Sequence, residues 1–337
     1  MNQDLSDIND ERGVDLTARY VRFAEEEARG RSPLYEAFAL GVAGDEEVLG
    51  FLATLPTAKQ QPNLLFGAVR YLFDAPADWL QFRHLLLANA PSVRSVMLAR
   101  STQTNEPSRC AVFLPLLAQL PQPLALIEVG ASAGLCLIPD LYGYDYGSSV
   151  LGAEYPVFKC AASEATPLPA VMPRVVWRVG LDLNPLDAAD PSAAAWLESL
   201  VWPEQKDRLL NLRAALRIAA SHKPRIFRGD LLGNALANLC REAPQDATLV
   251  VFHTAVLIYV AEKADRQAFS ATVRSLCPYW ICNEPQWVLP DIAHGLEIDD
   301  THGRFLLSLN GAPMAWTDPH GSAIEWIVGA KVSKVMA

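Results

Sequence analysis

The residues that most constrain the fold of this chain form a short apolar run that ends in a glycine-containing turn. The run is Leu124-Ala-Leu-Ile-Glu-Val129, and the turn is Gly130-Ala-Ser-Ala-Gly134. An uninterrupted apolar run of this length is typical of a strand that is buried on both faces of a parallel sheet. In open parallel sheets, ligands bind beyond the carboxyl ends of the strands, where the strand order reverses. The sequence therefore predicts a Rossmann-like α/β domain with a ligand site at Leu126–Gly134.

Strand and helix signals alternate downstream of this turn. Apolar runs predict four more strands, at residues 175–182, 225–230, 248–253 and 279–283. Helical spacing of apolar residues predicts helices between them, beginning near residue 193 and at 204–221, 235–242 and 263–276. This alternation is typical of a parallel sheet with right-handed crossovers. We also expect a helix at about residues 133–141, directly after the turn.

Two irregular stretches complete this domain. Residues 142–174 are rich in Tyr, Gly and Pro and predict an inserted hairpin. Residues 304–310 and 322–328 have strand character and flank a segment rich in Gly, Pro and Asp, which predicts an antiparallel pair. We therefore expect residues 122–337 to form one Rossmann-like domain with an inserted hairpin near residues 142–174.

The first 121 residues have helical spacing of apolar groups and no strand signal. Ser32-Pro33 places serine at an N-cap and proline in the first turn of a helix. Asp45-Glu-Glu47 places acids where the helix dipole favours negative charge. Residues 1–121 are therefore expected to form an N-terminal helical domain.

Composition excludes several classes of protein. The 337 residues have a formal net charge of −10, which argues against nucleic-acid binding, and 51% are hydrophobic, which supports a large core. The polar, acidic N-terminus lacks the features of a signal peptide, and no apolar run reaches the ~20 residues of a membrane span. We expect a cytoplasmic protein that acts on a small molecule, with no nucleic-acid or membrane partner; its oligomeric state is left open.

Cysteine usage gives no indication of a metal site. None of the six cysteines forms a C-x-x-C pair, and no histidine cluster accompanies them at zinc spacing. Most have apolar neighbours, as in Leu135-Cys136-Leu137. We expect buried, reduced thiols and no metal.

We compared the turn with the motifs of two ligand chemistries. Dinucleotide binding fits it poorly, and a serine hydrolase fits it in part. Dinucleotide binding needs G-x-G-x-x-G, but Ser132 and Leu135 replace two of the three glycines. A serine hydrolase needs G-x-S-x-G, which the turn matches with Ser132 as nucleophile. Asp230 followed by His294, His302 or His320 would complete the chain order Ser…Asp…His, although the helical character upstream is unusual for this fold. The hydrolase stays open as an alternative.

The third chemistry is binding of S-adenosylmethionine (SAM). Methyltransferases carry an acid, one further residue, and then Gly-x-Gly-x-Gly. Glu128, Gly130, Ser132 and Gly134 fit this pattern with one change, glycine to serine. We interpret these four residues as part of a SAM site.

Two more acids fit the same interpretation. Asp182 lies at the end of the second predicted strand, where an acid binds the ribose hydroxyls. Asp230 follows the third strand and would accept from the adenine amino group, with Leu231 beside it. Their alternative roles are local caps of turns and helices. A protein that binds SAM or a nucleotide without catalysis is a further alternative.

Methyl transfer needs a base only when the acceptor must lose a proton. His253 ends the fourth predicted strand and is the candidate base or substrate ligand. The polar segment before the sheet domain supplies candidate substrate-binding residues in Asn105, Glu106 and Arg109. Tyr259 is a further candidate on the acceptor side.

With these residues in place, the chain resembles a bacterial family known as domain of unknown function 2332. The stretches that carry the resemblance are Gln61–Phe66, Thr102–Cys110, Ile127–Leu135, Gly180–Leu186, Leu200–Glu204, Arg228–Leu232 and Phe252–Val256. The family carries no established activity. By analogy, its likeness to SAM-dependent methyltransferases implies a methyltransferase-type fold for residues 122–337 and SAM as the cofactor.

The chain departs from ordinary methyltransferases in two ways. Ser132 stands at the middle glycine of the turn. In addition, 48 positions separate Gly134 from Asp182, where about 20 are usual. An acid within the insertion, Asp140 or Asp145, is therefore an alternative to Asp182 as the ribose ligand.

Overall fold

A computed structural model describes residues 15–103, 105–152, 155–294, 296, 303–327 and 329–330. The chain divides into two compact units. The first contains residues 1–104 and 191–210, and the second contains residues 105–190 and 211–337. The sequence placed a single boundary after residue 121. In the structure the first division falls at 104/105, and the segment 191–210 returns to the first unit.

The first unit is helical throughout its described residues, as the apolar spacing predicted. Its α-helices are α1 Leu16–Arg22, α2 Pro33–Ala43, α3 Glu46–Ala53, α4 Pro62–Phe73, α5 Trp79–Ala88, α6 Ala90–Ala99 and α8 Pro191–Ser199. The helix α7, Cys110–Gln119, lies between α6 and α8 in the chain and belongs to the second unit. A π-helical turn, Phe23–Ala28, follows α1. Helical order here comes from packing of apolar faces around one core.

Local caps and an aromatic core explain this unit. The Ser32 hydroxyl accepts from the Tyr35 amide at 3.1 Å, which confirms the predicted N-cap of α2. At the centre of the core, the Phe38 and Phe82 rings stack at 4.6 Å. Trp196 of α8 lies in the same core, which is why a segment distant in sequence joins the unit.

The second unit has mixed α/β structure. Its helices are α7 Cys110–Gln119, α9 Lys206–His222 (which crosses the boundary at 210), α10 Ala235–Glu242, α11 Lys263–Leu276 and α12 Pro290–Ala293. Its strands are β1 Leu124–Val129, β2 Gly143–Asp145, β3 Val150–Leu151, β4 Val157–Lys159, β5 Ala161–Ala162, β6 Val175–Asp182, β7 Arg225–Arg228, β8 Thr248–Thr254, β9 Tyr279–Pro285, β10 Phe305–Leu309, β11 Ala312–Thr317 and β12 Ala323–Trp326.

Nine strands form one sheet in the order β5-β12-β11-β10-β9-β8-β1-β6-β7. The strands from β7 to β9 are mutually parallel, and β1 is buried along its whole length. Counted along the chain, these five strands have the order 3-2-1-4-5, as in doubly wound sheets. The order reverses between β1 and β8, so the switch point lies where Val129 and Thr254 end their strands. All five parallel strands were predicted from their apolar runs.

The predicted helix at 133–141 is wrong. Two short 3-10 turns, Leu135–Leu137 and Pro139–Leu141, take its place. Proline has no amide hydrogen and clashes with the preceding turn of an α-helix. The hydroxyls of Tyr142 and Tyr144 donate to the carbonyls of Leu135 and Pro139, so these acceptors are used outside any helix.

The inserted segment contains the expected hairpin and more. β2 and β3 pair antiparallel, and β4 adds to β2 in parallel to give a three-stranded sheet. The strand β5 then joins the main sheet beside β12.

The prediction that residues 304–310 and 322–328 pair with each other is also wrong. The segment between the two predicted strands is itself the strand β11, which pairs with both β10 and β12. Asn310 and Gly311 connect β10 to β11 with φ angles of 52° and 84°, the left-handed conformation of a tight hairpin turn. Among the described residues, no helix has both the length and the apolar character needed to cross a bilayer.

Candidate functional site

The turn after β1 lies at the switch point, and the backbone amides at its two ends donate hydrogen bonds to carbonyls of the protein itself. The amides of Gly130 and Ala131 both donate to the Leu181 carbonyl, at 2.7 and 3.3 Å. The amide of Gly134 donates to the Ala131 carbonyl at 2.6 Å. The sequence predicted a ligand site at this turn and a helix directly after it, whose first amides would have been open to a ligand. Because the helix is absent, the amides close the turn on itself and on β6.

Two side chains hold the middle of the turn. The Ser132 amide donates to Asp182 Oδ2 at 2.8 Å. The side-chain amide of Asn105 accepts from the Ala133 amide at 3.0 Å and donates to the Ser132 hydroxyl at 2.7 Å. Asn105 and Asp182 therefore both lie against the turn and fix its conformation, while their roles as ligands of substrate and cofactor stay predictions.

The glycines of the turn are required by the fold. Gly130 and Gly134 have φ angles of 74° and 71°, which non-glycine residues adopt at a cost. A Cβ atom on Gly130 would lie 2.3 Å from the Val256 side chain, and one on Gly134 would lie 2.9 Å from Pro224. Ser132, at φ 48°, occupies a conformation in which glycine is more stable.

Glu128 is the least satisfied polar group at the switch point. Its residue is 4% exposed, and its Oε2 has no hydrogen-bond partner within the described part of the chain. Burial raises the pKa of this carboxyl well above its ordinary value; nearby Cys136 and Asp182 raise it further, and Arg109 opposes them. Glu128 therefore holds its proton more tightly than an ordinary glutamate, and its Oε2 has no partner within the described protein.

The other predicted acids have local partners. Asp182 Oδ1 accepts from the Asn184 amide at 2.7 Å. Asp230 is exposed, and its Oδ1 accepts from the Leu232 amide at 2.9 Å. Leu231 is partly buried between them in the core of this unit. Asp182 and Asp230 therefore follow successive parallel strands, as expected, and each also caps a turn.

The acids of the insertion have structural partners as well. Asp140 forms a two-pronged ion pair with Arg178, at 2.7 and 2.9 Å. Asp145 Oδ1 accepts from the Gly147 amide at 2.8 Å within the small sheet. Neither contact favours them over Asp182 as ligands of a ribose.

A segment that we call the strap, residues 105–109, lies along this edge of the sheet. The buried guanidinium of Arg109 donates from Nε to the Pro319 carbonyl at 2.7 Å and from Nη1 to the Thr254 carbonyl at 3.2 Å. Glu106 caps the strap through its own Oε1, which accepts from the Ser108 amide at 3.3 Å. The strap therefore links the ends of β1 and β8 to the loop after β11.

His253 lies on the opposite face of the sheet from Glu128. Glu128 pairs in register with Phe252, which packs on Phe113 of α7, and successive residues of a strand point to opposite faces. The imidazole of His253 is fully buried and stacks on Trp280 at 5.8 Å. This position places the predicted base out of reach of solvent.

His253 belongs to a pair that the sequence did not specify. Its Nδ1 lies 2.7 Å from Glu284 Oε1, which also accepts from the amides of Val256 and Leu257 at 2.8 and 3.1 Å. Within the described residues, His253 Nε2 and Glu284 Oε2 have no hydrogen-bond partner. Tyr259, the remaining predicted substrate residue, follows this loop and is 65% exposed.

The hydroxyl of Ser132 has an amide as its neighbour instead of a base. Its residue is 6% exposed, and it accepts from Asn105. A nucleophilic serine needs a hydrogen bond to a base such as histidine. Within the described residues that contact is missing, and His302 of the predicted alternatives lies outside them.

A second histidine–glutamate pair lies near the strap. His320, in the loop after β11, places Nδ1 3.7 Å from Glu106 Oε2. The imidazole is 48% exposed, whereas the Glu106 side chain is 2% exposed. The sequence named Glu106 but offered His320 only as part of a hydrolase, because no local pattern joins positions so far apart.

The opposite edge of the sheet offers different chemistry. A groove of about 400 Å³ lies at the amino ends of β8 and β9. Its lining, which includes Pro244, Gln245 and Pro278, contains no carboxylate, imidazole or guanidinium. The acids Glu128, Asp182 and Asp230 lie instead at the carboxyl edge.

Comparison with known proteins identifies the family. The model of a bacterial family described as uncharacterized protein conserved in bacteria, DUF2332, matches residues 17–326. The chain belongs to this family. No curated protein and no solved structure matches it. Since the DUF2332 match includes residues of both units, the helical unit and the sheet unit are both part of the family's common sequence.

Proposed function

We propose that this DUF2332 protein binds SAM at the carboxyl edge of β1, β6 and β7 and transfers its methyl group to a small polar molecule. The observation that carries the proposal is Glu128, a buried carboxyl at the switch point whose Oε2 has no described protein partner. An unsatisfied buried polar group costs about 1–3 kcal/mol. A ligand with N–H or O–H donors would remove that cost.

The strand order supports the same proposal. In doubly wound sheets, cofactors bind where the order reverses, and that reversal lies between β1 and β8. Asp182 and Asp230 follow the next two strands, at the positions expected for ribose and adenine contacts. Asp230 is exposed and uses one carboxylate oxygen for its turn, which leaves the other for an adenine amino group.

The proposed role of each residue follows from its position. SAM would supply an electrophilic methyl group on its sulfonium. Glu128 and Asp230 would bind donors of the cofactor, and Asp182 with Asn105 would keep the turn in the shape that the cofactor meets. Methyl transfer is an in-line displacement, so most of the acceleration can come from such positioning.

Calorimetry with SAM, S-adenosylhomocysteine (SAH), NAD and ATP tests the proposal. We expect heat with SAM and SAH and none with NAD or ATP. Glu128→Gln and Asp230→Asn should each weaken SAM binding at least tenfold, because both keep the local shape and change the charge or the proton. Asp246→Asn, at an exposed acid on the amino side of β8, is the matched control and should bind like the wild type.

Two results would overturn the proposal. One is the absence of heat with both SAM and SAH. The other is SAM affinity that stays the same in Glu128→Gln and in Asp230→Asn. Tight SAM binding without turnover on any acceptor would instead favour a binding protein that uses the same site.

A further inference from the structure

The loop after β11 places an accessible histidine beside a buried carboxylate at the carboxyl edge. His320 Nδ1 faces Glu106 Oε2 at 3.7 Å, and about half of the imidazole is exposed. Within the part of the chain that the structure describes, no hydrogen-bond partner of His320 Nε2 is found. The imidazole therefore faces a carboxylate through Nδ1, while about half of the side chain is exposed.

Several contacts hold this loop against the strap. Arg109 donates to the Pro319 carbonyl at 2.7 Å. Gly321 approaches the strap so closely that a Cβ atom there would lie 2.2 Å from the Ser108 carbonyl oxygen. Asp318 Oδ1 accepts from the His320 amide at 2.8 Å and fixes the turn. The position of the imidazole is therefore set by the fold.

The strap connects the pair to the turn after β1. The carbonyl of Glu106 accepts from the Cys136 thiol at 3.5 Å, and Asn105, one residue before, binds Ser132 and Ala133. His320 and the proposed cofactor turn thus contact the same five-residue segment. About half of the imidazole is exposed there, so it is accessible to a molecule from solvent.

We propose that His320 takes the proton of the methyl acceptor and that Glu106 positions the imidazole. The proposal rests on the function proposed above. It implies a protic acceptor, one whose attacking oxygen or nitrogen carries a hydrogen that must leave. As the acceptor atom bonds to the methyl carbon, the carbon–sulfur bond breaks and its electron pair stays on sulfur. The acceptor proton passes to His320 Nε2, and the imidazolium is then stabilised by the Glu106 carboxylate.

Other ionisable groups lie near this loop and enter the design of a test. Glu106 faces the imidazole from the strap, Arg109 binds the carbonyl of the preceding Pro319, and Asp318 lies in the same loop. Cys160, between β4 and β5, has its thiol pKa raised to about 12 by burial and by Asp318, so that it stays uncharged. Glu106 is therefore the carboxylate of choice to remove.

Nuclear magnetic resonance of protein labelled at histidine Cε1 tests the proposal in the full chain. In protein that also carries 15N in the imidazole, the neutral His320 ring should hold its proton on Nδ1, facing Glu106. Glu106→Gln should lower the fraction of this tautomer, whereas Glu242→Gln, at an exposed glutamate on α10, should leave it unchanged. Glu106→Asp keeps the charge and should restore most of the lost fraction. A purely structural role of Glu106 would not produce this pattern.

The same spectra report whether His320 belongs to the site. Saturating SAH should shift the His320 resonance and leave that of His222, at the end of α9, unchanged. If calorimetry shows that SAH binds and the His320 resonance does not move, His320 is not part of the site and only this inference is overturned. Absence of SAH binding overturns the methyltransferase proposal and the acceptor assignment together. A fraction of the Nδ1–H tautomer of His320 that is unchanged in Glu106→Gln overturns the positioning role.

Discussion

Among its described residues, the sheet unit contains two histidine–glutamate pairs that use the same residue types in opposite ways. In the first, His253 and Glu284 are both buried, with 2.7 Å between Nδ1 and Oε1. In the second, Glu106 is buried but His320 is about half exposed, with 3.7 Å between Nδ1 and Oε2. Proton exchange with a substrate needs access to one ring nitrogen, and only the second pair offers it. The comparison shows that a histidine at a strand end is a weaker indication of catalysis than a histidine with one open nitrogen.

The buried pair has a structural task that the exposed pair lacks. Glu284 Oε1 collects three N–H groups, from His253 and from the amides of Val256 and Leu257, so it fixes the loop after β8. That loop begins at Ala255, which has a φ angle of 54°. Backbone strain of this kind persists only where surrounding contacts hold it. Glu284 is one of these contacts.

The largest effect is therefore expected from Glu284→Leu. Leucine has a similar volume but leaves two backbone amides and the imidazole without their acceptor, which should lower the free energy of unfolding by about 3–5 kcal/mol. Urea unfolding followed by circular dichroism measures it. Leu289→Ile, an apolar change nearby, is the control and should cost less than about 1.5 kcal/mol. A loss of less than 1 kcal/mol in Glu284→Leu would contradict a structural role for the buried pair.

Glu128 extends the comparison, because it is a buried carboxyl without a histidine. Its raised pKa means that the folded state holds the proton more tightly than the unfolded state. This contribution is fully present below the unfolded pKa and is lost as pH rises toward the raised folded value. Glu128→Gln stays neutral at every pH. Its free energy of unfolding, taken relative to that of the wild type at the same pH, should therefore be higher at pH 8 than at pH 5 by about 1–3 kcal/mol.

Urea unfolding of both proteins at the two pH values checks this sign. Asp246→Asn serves as the control because its carboxylate is exposed, and its difference from wild type should not vary with pH. A Glu128→Gln difference that stays constant, or that grows toward pH 5, would show that Glu128 is ionised in the folded protein.

The sequence predicted the five parallel strands because a buried strand has a local signature. All six residues of β1 are apolar or buried between two layers, and its partners have the same character. The strand β11 was missed although the sequence contains Asn310-Gly311, a dipeptide typical of tight β-hairpin turns. The helix at 133–141 was wrong because hydroxyls of Tyr142 and Tyr144, supplied by the insertion, take carbonyls there. Tertiary contacts of that kind have no local pattern.

The candidate site divides along the same line. Glu128, Asp182 and Asp230 were placed correctly at strand ends because parallel strands bring their carboxyl ends to one edge. The partners of these and other residues were not predictable. His253 and Glu284 are 31 positions apart, and Arg109 and Pro319 are 210 apart. Only the sheet order brings such residues together.

Asn105→Ala tests whether the strap near the exposed pair holds the turn after β1. The change removes the acceptor of the Ala133 amide and the donor to Ser132, and it should lower the free energy of unfolding by about 1–2 kcal/mol. Asn105→Asp keeps the acceptor and should retain part of that stability. Thermal unfolding compared with Asn238→Ala, at an exposed asparagine on α10, provides the measurement. Equal stability of Asn105→Ala and wild type would show that the strap does not hold the turn.

The smallest effect on stability is expected from His320→Ala, and its comparison with His253→Ala gives the sharpest contrast between the two pairs. His320→Ala removes an exposed ring and should change the free energy of unfolding by less than about 0.5 kcal/mol. His253→Ala removes a ring packed against Trp280 and Phe269 and should cost about 2–4 kcal/mol. Diethyl pyrocarbonate, which acylates accessible imidazoles, should modify His320 in the folded protein and spare His253, as peptide mass mapping would reveal. If His253 is acylated at the rate of His320 while the protein stays folded, the buried pair is open to solvent, and His253 becomes the stronger candidate for the base.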